Sequence, residues 1–173
     1  PPGIIGDRGT SALDWAIMQD KPQWGVTVLQ ANAEMDAGDI WASQDFPMRF
    51  ATKSSLYRRE VTEAATAAVL QAISRVQSGT YTPTPLSYAD TNVQGRLHKP
   101  ILQIDRTINW QCDSTRTILK KIHAADAFPG VLDSIEGVSY YLYDAHTEDR
   151  LRGVPGSIIA KRQNAICRAT IDG

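Results

Sequence analysis

The stretch Glu34-Met35-Asp36-Ala37-Gly38-Asp39-Ile40 reads as a tight acidic turn between two extended runs. Upstream, Gly25 to Ala31 is expected to be a strand, because Val26, Val28 and Leu29 are strand formers that follow a Gly25 turn. Downstream, Asp39 to Pro47 is expected to be a second strand, stopped by Pro47. Further upstream stands Pro1-Pro2-Gly3-Ile4-Ile5-Gly6-Asp7-Arg8-Gly9, a glycine-rich loop. A helix over residues 10–20 follows it, capped by Thr10 or Ser11, with Leu13, Ala16 and Ile17 at helical spacing. Such an order of elements carries a carboxylate into a cleft.

The longest expected helix covers 55–77, with Ser54 or Ser55 as its cap and Gly79 as its stop. Tyr57, Val61, Ala65, Val69, Ile73 and Val76 recur at spacings of three and four and are expected to face the core. Strand, loop, strand and long helix make half of an α/β layer. Thr82-Pro83-Thr84-Pro85 opens a stiff, polar stretch that reads as a linker. Leu102-Gln103-Ile104-Asp105 reads as extended. Asp113-Ser114 caps a helix to about Ala125, broken by Phe128-Pro129-Gly130. Strands are expected at Val138–Asp144, Ser157–Lys161 and Ala165–Thr170, which suggests a small barrel or sandwich. The division is therefore 1–80, a linker at 81–100, and a second domain at 101–173.

At 173 residues, this is one large domain or two small ones. A net charge of −1 argues against a broad nucleic-acid surface. No apolar run reaches the roughly 18–20 residues of a membrane span. Cys112 and Cys167 lack Cys-x-x-Cys spacing and read as small apolar residues, which fits a reducing, cytoplasmic setting. His98, His123 and His146 are scattered and are expected at the surface; no clustered metal ligands appear.

Two readings of Asp36 stand open. It is a turn residue bonded to backbone amides, or it is a carboxylate working with an imidazole to move a proton. In the second case Gly38 lets the backbone pass close to a ligand. Asp7-Arg8-Gly9 is either a local ion pair in a turn or the shaper of a loop over a ligand. Asp39 reads as a turn or strand-edge residue.

Pro2-Gly3-Ile4-Ile5-Gly6-Asp7-Arg8-Gly9, Leu13-Asp14-Trp15-Ala16-Ile17, Gly25-Val26-Thr27 and Met35-Asp36-Ala37-Gly38-Asp39-Ile40 resemble the formyltransferases that use 10-formyltetrahydrofolate. With Tyr140-Tyr141-Leu142-Tyr143-Asp144-Ala145 and Ala165-Ile166-Cys167-Arg168-Ala169-Thr170, the wording is closest to the HypX (HoxX) group of hydrogenase maturation proteins. The resemblance implies an internal fragment of a longer enzyme. It would hold the C-terminal half of a Rossmann-like formyltransferase domain and then a small, incomplete β-barrel-like (OB-like) domain, with a crotonase-like domain further on. It implies 10-formyltetrahydrofolate as donor and coenzyme A as acceptor. The formyl group would end as carbon monoxide for [NiFe]-hydrogenase, in the company of hydrogenase maturation machinery. Position by position, it implies Asp36 as the catalytic aspartate, with Ile5, Gly6, Ala37, Gly38 and Asp39 near the folate. The family's catalytic His would fall at Pro1, which has no titratable group, and its Asn before the first residue. Pro1 then marks either a truncated end or a non-catalytic variant, and the fragment alone is expected to be inactive. Formylation of methionyl-tRNA or of a sugar amine, and folate binding without catalysis, are the alternatives.

Overall fold

The computed structural model describes residues 1–126 and 129–173, so the helix-breaking role expected of Phe128 lies outside the described residues. The chain forms two units, Pro1–Ile101 and Leu102–Gly173.

In the first unit, α1 (Ala12–Met18) precedes β1 (Gln23–Leu29) and β2 (Ile40–Pro47). These strands pair antiparallel, from Gln23 opposite Pro47 to Leu29 opposite Ile40, with an irregularity at Val28/Leu29. The opening loop lies against β1: Thr27 donates through its backbone N–H to the Pro1 carbonyl at 3.1 Å, and through Oγ1 to the Gly3 carbonyl at 2.8 Å. Ser11 starts α1 without capping it; its hydroxyl instead accepts from the Ile101 N–H at 3.1 Å.

The long helix is three pieces: α2 (Lys53–Leu56), a π-helical turn (Tyr57–Val61) and α3 (Thr62–Ser78). Thr52, rather than Ser54 or Ser55, caps it, accepting from the Ser55 N–H. Gly79 ends it in the left-handed conformation, with φ 64°. The expected apolar stripe is off-register. Leu56, Val61, Ala64, Ala68 and Ala72 are buried, whereas Val69, Ile73 and Val76 are exposed. The cause is close approach: Ala68 and Ala72 pack on Ala42 of β2, beside Val28 and Trp41. Small side chains let the helix sit tightly on the strands. The five-residue step from Leu56 to Val61 is the phase shift that a π turn supplies.

Residues 81–100, expected as a linker, are folded onto the first unit. Ile40 and Thr84 exchange two backbone hydrogen bonds, at 2.8 and 3.0 Å. Arg8 and Leu97 form a parallel bridge, and the Tyr88 hydroxyl donates to the Gly6 carbonyl at 2.8 Å. The stretch lacks periodicity because its partners are loops rather than a sheet face.

In the second unit, Leu102–Asp105 is not extended. A 3₁₀ turn (Gln103–Arg106) forms there, closed by the Leu102 N–H donating to the Asp105 carboxylate at 2.9 Å. Ser114 caps α4 (Thr115–Ala124) by accepting from the Thr117 N–H. Ile118 and Ile122 of α4 meet Ile108, Ala125 and Val131 in the core. Two separate hairpins complete the unit: β3 (Val131–Ile135) with β4 (Val138–Leu142), and β5 (Ile158–Arg162) with β6 (Ala165–Arg168). Strand β3 was not foreseen; it begins beyond the expected break. No helix among the described residues is long and apolar enough to cross a membrane.

Candidate functional site

Asp36 sits half-buried in the β1–β2 connection. The loop is closed at its base by the Gln30 N–H donating to the Asp39 carbonyl at 2.7 Å. Gly38 is required here, since a Cβ would run into the Gln30 carbonyl oxygen. Its closeness is thus to the loop's own backbone. Asp36 takes a left-handed conformation, φ 57°, which costs a non-glycine residue about 1 kcal/mol and which Asp tolerates better than most.

The opening loop holds this turn in place. The Gly9 N–H donates to Asp36 Oδ2 at 3.3 Å. Arg8 Nε donates to the Met35 carbonyl at 3.0 Å, and Arg8 Nη2 to Glu34 Oε1 at 2.6 Å. The Asp36 carboxylate therefore does bond to a backbone amide, the first of the two readings made of it, and does so beside a second glycine-rich loop. Asp7 and Arg8 are not paired with each other; each reaches a different segment.

Asp7 reaches His98. Their Oδ2 and Nε2 atoms lie 3.1 Å apart, with side chains only 2% and 9% exposed. Asp7 Oδ1 is buried without a well-formed hydrogen bond. Burial pushes the Asp7 carboxyl up from its ordinary value, partly offset by His98 and Arg96. The His98 ring stacks on Trp15 at 6.0 Å between centroids, and the Trp15 indole donates to the Lys99 carbonyl at 2.9 Å. His98 is thus no surface residue. His123 is not one either; it is buried and its Nε2 lies 3.0 Å from the Ala145 carbonyl oxygen. His146 is exposed.

Of the other expected site residues, Ile5 lines a hollow of about 310 Å³ together with Ile40, Arg75, Tyr81, Thr84 and Val93. Asp36 is not in its wall. Gly6 is buried between the loop and Tyr88, Ala37 is half-buried, and Asp39 is exposed. The structure thus gathers Gly9 and Asp36 with Arg8 in one place and sets Ile5 in a neighbouring hollow. His98 and Arg8 were missed as a group. Arg8 carried a signal in the Arg-Gly pair, but His98 lies 91 positions from Asp7 and carried none.

Residues 100–173 match the family described as formyl transferase, C-terminal domain. Over 172 residues the chain is 49% identical to the hydrogenase maturation factor HoxX of Bradyrhizobium diazoefficiens, covering 99% of this chain and 30% of HoxX. The crystal structure of HypX from Aquifex aeolicus in complex with tetrahydrofolic acid superposes with a TM-score of 0.90 at 43% identity, over 100% of this chain and 30% of that one. Methionyl-tRNA formyltransferase of Sorangium cellulosum is 24% identical over 162 residues, 92% of this chain and 50% of that enzyme. The chain is similar along almost all of its length to HoxX and HypX, and it spans 30% of theirs.

Proposed function

We propose that this chain is the part of a HypX-type formyltransferase that carries the catalytic aspartate, Asp36, and the domain after it. The observation that carries the reading is the Asp36 turn. A half-buried carboxylate, aligned with the Asp-x-Gly-Asp signature, is clasped by the Gly9 amide from a second signature loop. Whole-length similarity to HoxX, and to a HypX crystallised with tetrahydrofolic acid, supports it. On this reading the first unit is the C-terminal half of a Rossmann-like domain. The second is the incomplete OB-like domain, and residues 81–100 join the two in sequence while packing on the first.

The folate donor fits the residues present. Asp36 offers a carboxylate oxygen beyond the one bonded to Gly9, Ile5 offers apolar wall in the neighbouring hollow, and Gly6 stands behind it, buried against Tyr88. Gly38 and Ala37 shape the loop, and Asp39 stands at its rim. 10-Formyltetrahydrofolate supplies the one-carbon unit when bound. Asp36 then holds or moves a proton, together with an imidazole that Pro1 does not provide. Coenzyme A is the proposed acceptor, leading to carbon monoxide for [NiFe]-hydrogenase within the maturation machinery of the cytoplasm. Similarity to methionyl-tRNA formyltransferase keeps an amine acceptor as the second reading.

The test uses the full-length protein with 10-formyltetrahydrofolate and, in parallel, coenzyme A, charged initiator tRNA and a sugar amine. Transfer to coenzyme A is expected. Asp36→Asn is expected to lower turnover by at least about 100-fold, the scale of an acid–base contribution, while thermal melting stays unchanged. Turnover by Asp36→Asn at the wild-type rate would sink the reading. Folate binding measured by calorimetry without any turnover in the unaltered protein would favour the non-catalytic alternative.

A further inference from the structure

The Asp36 turn is held from outside itself. Its left-handed residue stores strain, and the residue before it, Met35, is exposed. Asp20, Glu136 and Asp144 are left-handed too, so the conformation alone does not single out this turn; the neighbour bonded to it does. The neighbour is Arg8. Its backbone is immobilised on both sides: its N–H donates to the Arg96 carbonyl at 3.0 Å, and its carbonyl accepts from the His98 N–H at 2.9 Å. Its side chain is only 12% exposed and reaches the Met35 carbonyl, the peptide that enters Asp36. One residue on, Gly9 meets the carboxylate itself.

We propose that Arg8 is a positioning residue for Asp36. Its guanidinium fixes the Met35–Asp36 peptide so that the carboxylate meets the Gly9 amide and keeps its remaining oxygen toward the substrate. The inference rests on the reading of Asp36 as the catalytic carboxylate. The guanidinium shape is what the role requires. Arg8 spends two divergent donors on two different acceptors, Met35 O and Glu34 Oε1. An ammonium carries its donors on one atom and does not span both in a fixed plane. A carboxylate displaced by about 1 Å costs on the order of 100-fold in rate even when binding is intact.

The experiment compares Arg8→Lys and Arg8→Met with the unaltered full-length protein. Arg49→Met is the control, since Arg49 makes a similar ion pair with Glu60 on a different part of the first unit. Formyl-transfer kcat is expected to fall about 100-fold in both Arg8 variants, with the folate KM within about threefold and no change in Arg49→Met. Hydrogen exchange over residues 33–39 reads positioning without turnover, and protection there is expected to drop in the Arg8 variants only. Unchanged kcat, a raised KM at constant kcat, or unchanged exchange over 33–39 would each overturn the proposal. So would loss of folding in both variants, which would make Arg8 a structural residue. Absence of transfer by the unaltered protein would overturn the reading of Asp36 instead, and the exchange experiment would still decide whether Arg8 holds the turn.

Discussion

Each unit contains an arginine that ties a carboxylate to a carbonyl, and the two differ in what lies behind them. In the first unit Arg8 takes Glu34 and the Met35 carbonyl. In the second, Arg168 takes Asp133 at 2.7 Å and the Gly156 carbonyl at 2.7 Å. Arg168 also lies over the Trp110 ring, 4.0 Å from its centroid, and the Trp110 indole donates to the same Asp133 oxygen at 2.9 Å. The acidic partners separate the two: the Glu34 side chain is 67% exposed and that of Asp133 is 14% exposed. The same guanidinium chemistry thus does two jobs. With its carboxylate partner in solvent, it orients a loop; with that partner shielded and an indole beneath it, it holds the fold.

The largest effect expected from this difference is at Arg168. Removing it by Arg168→Met leaves Asp133 nearly buried with one donor, and takes away the cation over the indole. Stripping one member from a buried pair costs about 3 kcal/mol, read as a drop in the urea midpoint and a red shift of Trp110 fluorescence. Arg168→Lys is expected to recover only part of this, because a lysine cannot bond Asp133 and Gly156 in one plane. Arg8→Met is expected to cost far less than Arg168→Met, because its carboxylate partner lies in solvent. Equal losses in the two variants would erase the distinction between the two arginines.

The second unit was the more legible in sequence, and the reason is locality. Ser114, Ile118 and Ile122 announce α4 within a few residues; β4 and β6 lie inside their expected runs, and β5 overruns its own by one residue, Arg162. The first unit gave up its second strand and the Asp36 turn equally well, since Pro47 and Gly38 punctuate them, whereas Gly25, expected as the turn before β1, lies inside that strand, paired with Asp45. It hid the rest. Ala64, Ala68 and Ala72 form the buried face of α3, but a reading weighted by side-chain size prefers Val69 and Ile73. The stretch 81–100 looks like a linker because its hydrogen bonds run to Ile5, Gly6, Arg8 and Ile40, loop and edge positions with no period. Of the candidate site, the turn and its glycine-rich neighbour were legible as motifs, whereas the bonds between them were not. A contact between His98 and Asp7 leaves no trace in spacing.

Asp7 tests the comparison from inside the first unit, because it is a buried carboxylate like Asp133 yet leaves its Oδ1 without a well-formed hydrogen bond. Its pKa is raised by burial above the ordinary carboxylate value, so the folded chain holds this proton more tightly than the unfolded chain. Below the unfolded value Asp7 costs nothing; as pH rises through the raised folded value, its ionisation takes stability away. His98 and Arg96 oppose that loss only in part. Relative to Asp7→Asn, the unaltered protein is therefore expected to gain stability as pH falls from about 7 to about 4. Glu60 has the opposite tendency, lowered by its hydrogen bond to Arg49, but it is present in both proteins and cancels from the difference. A urea-midpoint difference that moves the other way would show that the His98 contact outweighs burial, making Asp7 as well served as Asp133.

The smallest effect belongs to Glu34, and its smallness carries the argument. Glu34 is the shortest contact Arg8 makes, yet length is a poor guide when the acceptor is in water. Glu34→Gln keeps an oxygen for Arg8 Nη2 and removes only the charge. The expected loss in stability is below about 0.5 kcal/mol, and it is expected to vanish in about 1 M salt, where exposed charges are screened within a few ångströms. A larger, salt-resistant loss would mean that the exposed carboxylate, and not the Met35 carbonyl, is what Arg8 depends on. Arg8 and Arg168 would then be the same device, differing only in the unit that carries them.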